Sequence, residues 1–139
     1  MEFILKGEKA VRGKAAGEAV VCKDNVCFVG SIDKETGLFN EKGHGFSGKY
    51  MKGKVMVYPT GKGSTGGSYS LYAACMNGAG PCAIINNELE MITAAGAILA
   101  KLPVVHHIQG CDPTDVIKDG DWVEVDADNG IIKVTRNEE

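Results

Sequence analysis

A glycine-rich run, Gly61-Lys62-Gly63-Ser64-Thr65-Gly66-Gly67-Ser68, separates an apolar strand-like segment from a segment with helical character. That junction constrains the 139-residue chain more than any other feature. Lys54 to Tyr58 reads as the strongest strand, and about Ser68 to Asn77 as a helix with Leu71, Ala74 and Cys75 on one face. A strand that enters a helix through glycines and hydroxyls leaves free backbone N–H groups at the helix start, where the helix dipole also favours negative charge. The run is therefore an anion-binding candidate. A tight strand-to-helix turn would also need glycine, but not this many hydroxyls beside it.

The chain on either side differs in rhythm. The first half alternates short strand candidates with turns: Glu2 to Leu5, Gly17 to Cys22 and Val26 to Val29, separated by signals such as Lys23-Asp24-Asn25 and Glu35-Thr36-Gly37. After the loop and first helix, Cys82 to Ile85 reads as a strand buried on both faces. Glu88 to Leu102 reads as a helix, with Met91, Ala95, Ile98 and Leu99 at helical spacing and Pro103 ending it. Pro103 to His106 returns to strand. The tail alternates apolar and polar residues from Gly120 to Asp126, then turns at Asp128-Asn129-Gly130 into Ile131 to Val134. The pattern predicts an α/β fold over residues 1–139 as a single domain. A strand-rich first half is followed by a β-α-β-α-β segment and a C-terminal hairpin.

Composition narrows the function. A net charge of -3 and a pI near 5.6 give no footprint for nucleic acid or anionic membranes. No apolar stretch approaches the roughly 20 residues that span a bilayer, and the N-terminus lacks a signal-peptide pattern. Five cysteines without a dense framework fit reduced thiols in the cytoplasm.

The loop supports several chemistries. A nucleotide P-loop fails, because Gly61-Lys62 is followed by Gly63 and the upstream glycine position holds Met56. A dinucleotide-binding module remains open: Gly61, Gly63 and Gly66 satisfy G-x-G-x-x-G, with Glu88 at about the expected distance. A serine hydrolase is disfavoured, since no Gly-x-Ser-x-Gly elbow is present. A serine among glycines at a helix entrance can act as a base if backbone donors stabilise its negative charge.

Lys54 to Tyr69 resembles the swivelling domain of aconitase X, and more narrowly the small-subunit branch that acts on phosphomevalonate. Gly30 to Gly37, Gly80 to Asn86 and Gly120 to Ala127 agree in the same order along the chain. The resemblance implies a swivelling β/β/α domain and a large aconitase-like partner subunit carrying a 4Fe–4S cluster, with none bound by this chain. It implies removal of water from (R)-5-phosphomevalonate, giving trans-anhydromevalonate 5-phosphate in the archaeal-type mevalonate route to isoprenoids. Another aconitase X substrate, such as cis-3-hydroxyproline, is the alternative within the family. Ser64 is the position matching the family's serine base. Gly63, Thr65, Gly66 and Gly67 would supply backbone donors, while Lys62 and Ser68 would help hold a small anionic substrate. Two segments depart from the family's pattern, at His44-Gly45 and from His106 to Cys111.

Metal ligation by this chain is not expected. Adjacent histidines on a strand point to opposite faces, so His106 and His107 would not share an ion. Cys22/Cys27 and Cys75/Cys82 lack the short spacings of zinc or cluster motifs. Asp33, Gly37 and His44 are read either as a second loop facing the site or as ordinary turn and packing residues. Trp122 is read as a strand residue at the domain edge.

Overall fold

A computed structural model describes residues 1–62 and 66–137. The eight strands are β1 (Glu2–Lys6), β2 (Glu8–Val11), β3 (Lys14–Val21), β4 (Val55–Tyr58), β5 (Ala83–Asn86), β6 (Val104–His106), β7 (Trp122–Asp126) and β8 (Ile131–Thr135). The helices are α1 (Gly67–Met76), α2 (Met91–Ala100) and the short α3 (Pro113–Val116). The strands connect in the order β1-β8-β7-β3-β4-β5-β6-β2.

The long strand β3 links two layers. Its first half, Lys14 to Glu18, pairs antiparallel with β7, and its second half, Ala19 to Val21, pairs parallel with β4. Gly17 lies where the pairing changes, and a Cβ there would come 2.5 Å from the Gly53 carbonyl oxygen, so only glycine fits. Strands β4, β5 and β6 continue in parallel, and β2 closes the far edge antiparallel to β6.

Alternation along the strands sends side chains into two cores. Val55, Val57, Ile85 and Val105 pack against Val123, Val125, Ile132 and Val134 of the antiparallel layer. Met56, Tyr58, Ile84 and Val104 face the other way, against Leu71 and Ala74 of α1, Ala97 of α2, and Phe28, Phe39, Phe46 and Met51 from the long β3–β4 connection. The result is a β/β/α arrangement with the parallel strands in the middle, buried on both faces as their apolar sequences require. Among the described residues, no helix is long and apolar enough to cross a membrane.

One local expectation changes, and two short elements appear that the sequence reading did not assign. Val26 to Val29 does not form a strand: Val26 makes only an isolated bridge to Gly61, and Phe28 turns the chain by accepting from the Ser31 N–H at 3.3 Å. Strand β2, Glu-Lys-Ala-Val, carries no apolar alternation and exists because β6 offers it an edge, across an irregularity between Lys9 and Val11. Helix α3 starts at Asp112-Pro113, where the Asp112 carboxylate accepts from the Thr114 N–H at 2.9 Å and proline occupies the first turn.

Candidate active site

The parallel strands β4, β5 and β6 end at one edge, at Tyr58, Asn86 and His106, and open α/β sheets bind ligands at such carboxyl edges. The connections leaving that edge are tied together. Pro59 O accepts from Asn87 N–H at 2.9 Å and Glu88 N–H at 3.1 Å, and Asn87 O accepts from His107 N–H at 3.1 Å. The Asn86 side-chain amide donates to Tyr58 O at 3.0 Å. Tyr58 is fully buried, and burial pushes its phenol well above the usual range, so it keeps its proton.

The glycine-rich connection leaves this edge after β4. Gly63, Ser64 and Thr65 lie outside the described residues; Lys62 and Gly66 flank them. Gly61 is held to Val26 by a parallel bridge, with Lys62 N–H donating to Val26 O at 2.9 Å. Lys62 is exposed, and its Nζ lies 3.7 Å from Glu41 Oε2, while the Ser31 hydroxyl donates to Glu41 Oε1 at 3.1 Å. Lys62 thus forms a weak, solvent-facing ion pair with Glu41.

At the other end, Gly66 is the N-cap of α1 and provides no side-chain cap. The N-terminus of this 10-residue helix, the positive end of its dipole, thus lies at the loop's second end. A Cβ at Gly66 would come 3.0 Å from Val29 Cγ2, and one at Gly67 3.2 Å from Ile92 Cγ2. Ser68 donates its hydroxyl to Ile92 O at 2.5 Å, so this side chain joins α1 to α2, and any contact with a ligand falls to its backbone. The same crossing is tight at Gly96, where a Cβ would come 2.7 Å from Ser68 O. The position of α1, and with it the loop's second end, is set by this glycine contact.

Glu90 is the functional-edge residue that sequence reasoning missed. Its carboxylate caps α2, accepting from Ile92 N–H at 2.8 Å and Thr93 N–H at 2.7 Å, and it also takes the Thr93 hydroxyl. The same carboxylate lies against Gly61. The spacing of an acceptor three residues before Thr93, at the start of an apolar run, was the available signal.

The second loop is structural. Asp33 Oδ1 accepts from the N–H groups of Glu35 and Thr36 at 2.8 and 3.1 Å, which holds its carboxyl below the usual range. Gly37 follows at φ 80°, a backbone conformation suited to glycine. His44 is buried between Phe39 and Phe46. Its Nδ1 accepts from Phe46 N–H at 3.0 Å, so its proton is on Nε2, donated to Asn25 O at 2.9 Å. Both ring nitrogens are committed to the fold. Trp122 lies half-exposed at the start of β7, paired with Glu18 of β3 on one side and Thr135 of β8 on the other.

His106 and His107 do not point to opposite faces. β6 ends at His106, and His107 takes a left-handed φ of 52°, which stacks the two rings at 3.7 Å with an 11° interplanar angle. Glu8, His106 and His107 come within 4.8 Å of one another. Parallel stacked rings cannot aim both lone pairs at one ion, and His106 Nδ1 already accepts from Leu89 N–H at 3.1 Å. His107 instead bridges Glu88 and Glu8, and its hydrogen bonds to Glu88 and then to Glu8 raise its pKa above 6.5. This occupies Glu88, the acidic residue that a dinucleotide fingerprint would direct to a ribose.

The thiols do not gather. Among the described residues, neither cluster of potential ligands contains more than one cysteine. Burial pushes Cys22 and Cys75 up to about 11, so both remain protonated at neutral pH.

Residues 4–134 match the aconitase X swivel domain family. A phosphomevalonate dehydratase small subunit from Methanosarcina acetivorans is 46% identical over 132 residues, covering 95% of this chain and 91% of the relative. The crystal structure of Thermococcus kodakaraensis aconitase X in its holo form superposes with a TM-score of 0.89 at 40% identity, over 96% of this chain and 99% of that one. The solution NMR structure of a UPF0107 protein gives a TM-score of 0.85 at 40% identity, over 98% of this chain and all of that one, 100%. With sequence, topology and length in agreement almost from end to end, the chain belongs to the aconitase X swivel domain family.

Proposed function

We propose that this chain is the small subunit of a heteromeric hydro-lyase that converts (R)-5-phosphomevalonate to trans-anhydromevalonate 5-phosphate, in the archaeal-type route to isoprenoids. The observation that carries this reading is the near full-length similarity to phosphomevalonate dehydratase small subunits, 46% identical over 132 residues. The substrate is a small organic phosphate and carboxylate. The loop that would meet it runs from the carboxyl edge of β4 to the first turn of α1, a favourable place for negative charge.

Ser64 is the proposed base, taking the proton from the carbon beside the substrate carboxylate. An ordinary serine hydroxyl is far too weakly acidic for this, so the surrounding backbone must stabilise the alkoxide. Gly63, Thr65, Gly66 and Gly67 are the proposed donors, with Lys62 completing the charge toward an anionic substrate. The chain's own cysteines offer no cluster site among the described residues, so a 4Fe–4S cluster belongs on the larger partner in this reading. Bound there, it would supply Lewis acidity toward the departing hydroxyl. Five free cysteines fit a reducing compartment, and we place the complex in the cytoplasm.

The test is reconstitution with the large subunit and assay of phosphomevalonate dehydration. Ser64→Ala is expected to lower kcat by about 10²–10⁴-fold, the span of general-base catalysis, with assembly and KM little changed. A Ser64→Ala complex that turns over at the wild-type rate removes Ser64 from this role. A wild-type complex that dehydrates a different hydroxy acid, and not phosphomevalonate, overturns the substrate.

A further inference from the structure

Helices α1 and α2 form the outer layer over the parallel strands, and neither contains an Asp, Glu, Lys or Arg. The chain as a whole is 24% charged, so two uncharged surface helices are out of character with the rest of its exterior. Their inner faces are accounted for by Leu71, Ala73 and Ala74 on α1 and by Thr93, Gly96 and Ala97 on α2. Their outer faces present Tyr69 and Met76, then Met91, Ala95, Ile98 and Leu99. The exposure is substantial: 86% for Met91, 66% for Tyr69 and 66% for Leu99. The stripe at helical spacing on α2, which would ordinarily face a core, points away from this one. Charge is missing and methionine, tyrosine and long aliphatic side chains are present, the composition found at the centre of protein interfaces.

The position of this surface names its occupant. Met91 follows Glu90, whose carboxylate lies against Gly61 at one border of the glycine-rich loop. Gly66, at the other border, rests on the exposed Val29 and opens directly into α1, three residues before exposed Tyr69. The described ends of the loop that carries Ser64 therefore lie beside the starts of both helices. We infer that the outer faces of α1 and α2 are the docking surface for the large subunit, which seals the loop's surroundings when it brings its half of the site to Ser64. This rests on the function proposed above. A second copy of this chain fits the same surface poorly, because pairing there would cover the borders of the loop and exclude the large subunit from it.

The experiment measures the affinity of the purified chain for its large subunit, with wild type, Met91→Glu, Leu99→Glu and, as a control on a distant exposed apolar residue of β1, Ile4→Lys. Both glutamate variants are expected to raise Kd by about 30-fold or more, as loss of an interface anchor does, with circular dichroism and Tm unchanged. Ile4→Lys leaves Kd at the wild-type value. At saturating large subunit the Leu99→Glu complex recovers wild-type kcat. Hydrogen exchange on the wild-type complex is expected to show new protection over residues 69–76 and 91–99, a readout that needs no variant. Wild-type affinity in both glutamate variants, or no protection over those segments, overturns the docking surface while leaving the proposed function standing. An isolated wild-type chain that dimerises through these helices, with the dimer broken by the same variants, assigns the surface to a second copy and overturns it too. Failure of the wild-type chain to bind any large subunit instead defeats the proposed function itself.

Discussion

The backbone of Gly61 lies against the carboxylate of Glu90, so closely that a Cβ at Gly61 would overlap Glu90 Oε1 and come 2.6 Å from its Cγ and 2.7 Å from Thr93 Oγ1. Glu90 cannot swing aside freely, because both its oxygens cap the first turn of α2. The start of the glycine-rich loop and the start of α2 therefore share one carboxylate.

Gly61→Ala is expected to cost about 1–3 kcal/mol, from a forced shift of packed groups together with partial loss of a helix cap. Urea unfolding monitored by circular dichroism measures this. Glu90→Ala in the Gly61→Ala background should add less than it does alone, because the clash and the cap involve the same group. Additive effects of the two substitutions would show that they act independently.

A second buried group ties the C-terminal tail to the turn before β7. Asp121 is buried and holds Arg136 through both carboxylate oxygens, at 2.9 and 2.7 Å, and also accepts from Lys118 N–H at 2.8 Å. Burial pushes the carboxyl up, but the Arg136 and Lys118 hydrogen bonds outweigh it and hold it below the usual 3.8. A depressed folded-state value means the stabilisation is present above pH 3.8 and is lost as pH falls through the folded pKa. Asp121→Ala should destabilise by about 3 kcal/mol at pH 7, since it removes the buried carboxylate that takes two of the Arg136 hydrogen bonds. Acid titration of stability should fall less steeply below pH 4 in the variant than in wild type, since this carboxyl no longer contributes. Equal slopes would show that Asp121 contributes no linked protonation.

His107 gives the opposite sign. Hydrogen bonds to Glu88 and then Glu8 raise its pKa above 6.5, so its contribution is complete below pH 6.5 and is lost as pH rises through the folded value. Glu88→Gln is expected to bring the His107 titration midpoint down toward 6.5, followed by NMR of the ring protons. An unmoved His107 midpoint in Glu88→Gln would show that the carboxylate does not hold the imidazolium.

Several elements were legible because local chemistry and final fold agree. Val55 to Tyr58 and Ala83 to Asn86 are short uninterrupted apolar runs, and both are strands buried on both faces. The turn at Asp128-Asn129-Gly130 gives a hairpin between β7 and β8. β2 was not legible, because Glu8 to Val11 has no apolar rhythm and becomes a strand by pairing with an edge supplied by β6, about 95 residues away in the chain. The orientation of the α2 stripe was not legible either. Periodicity shows that Met91, Ala95, Ile98 and Leu99 share a face, but Gly96 and Ala97 meet the body of the protein because their small size permits the close approach to Ser68.

The linear order of residues alone settled the family resemblance, the β/β/α expectation and the strand–glycine loop–helix junction, because these depend on local propensity and on motifs read within a few residues. Only the tertiary structure decided that Glu90 supports Gly61, that His107 stacks on His106 between two carboxylates, and that two uncharged helices turn an apolar face outward. Each of these relationships joins side chains through space with a geometry set by sheet register and helix crossing, and spacing along the chain does not encode the direction in which a face points.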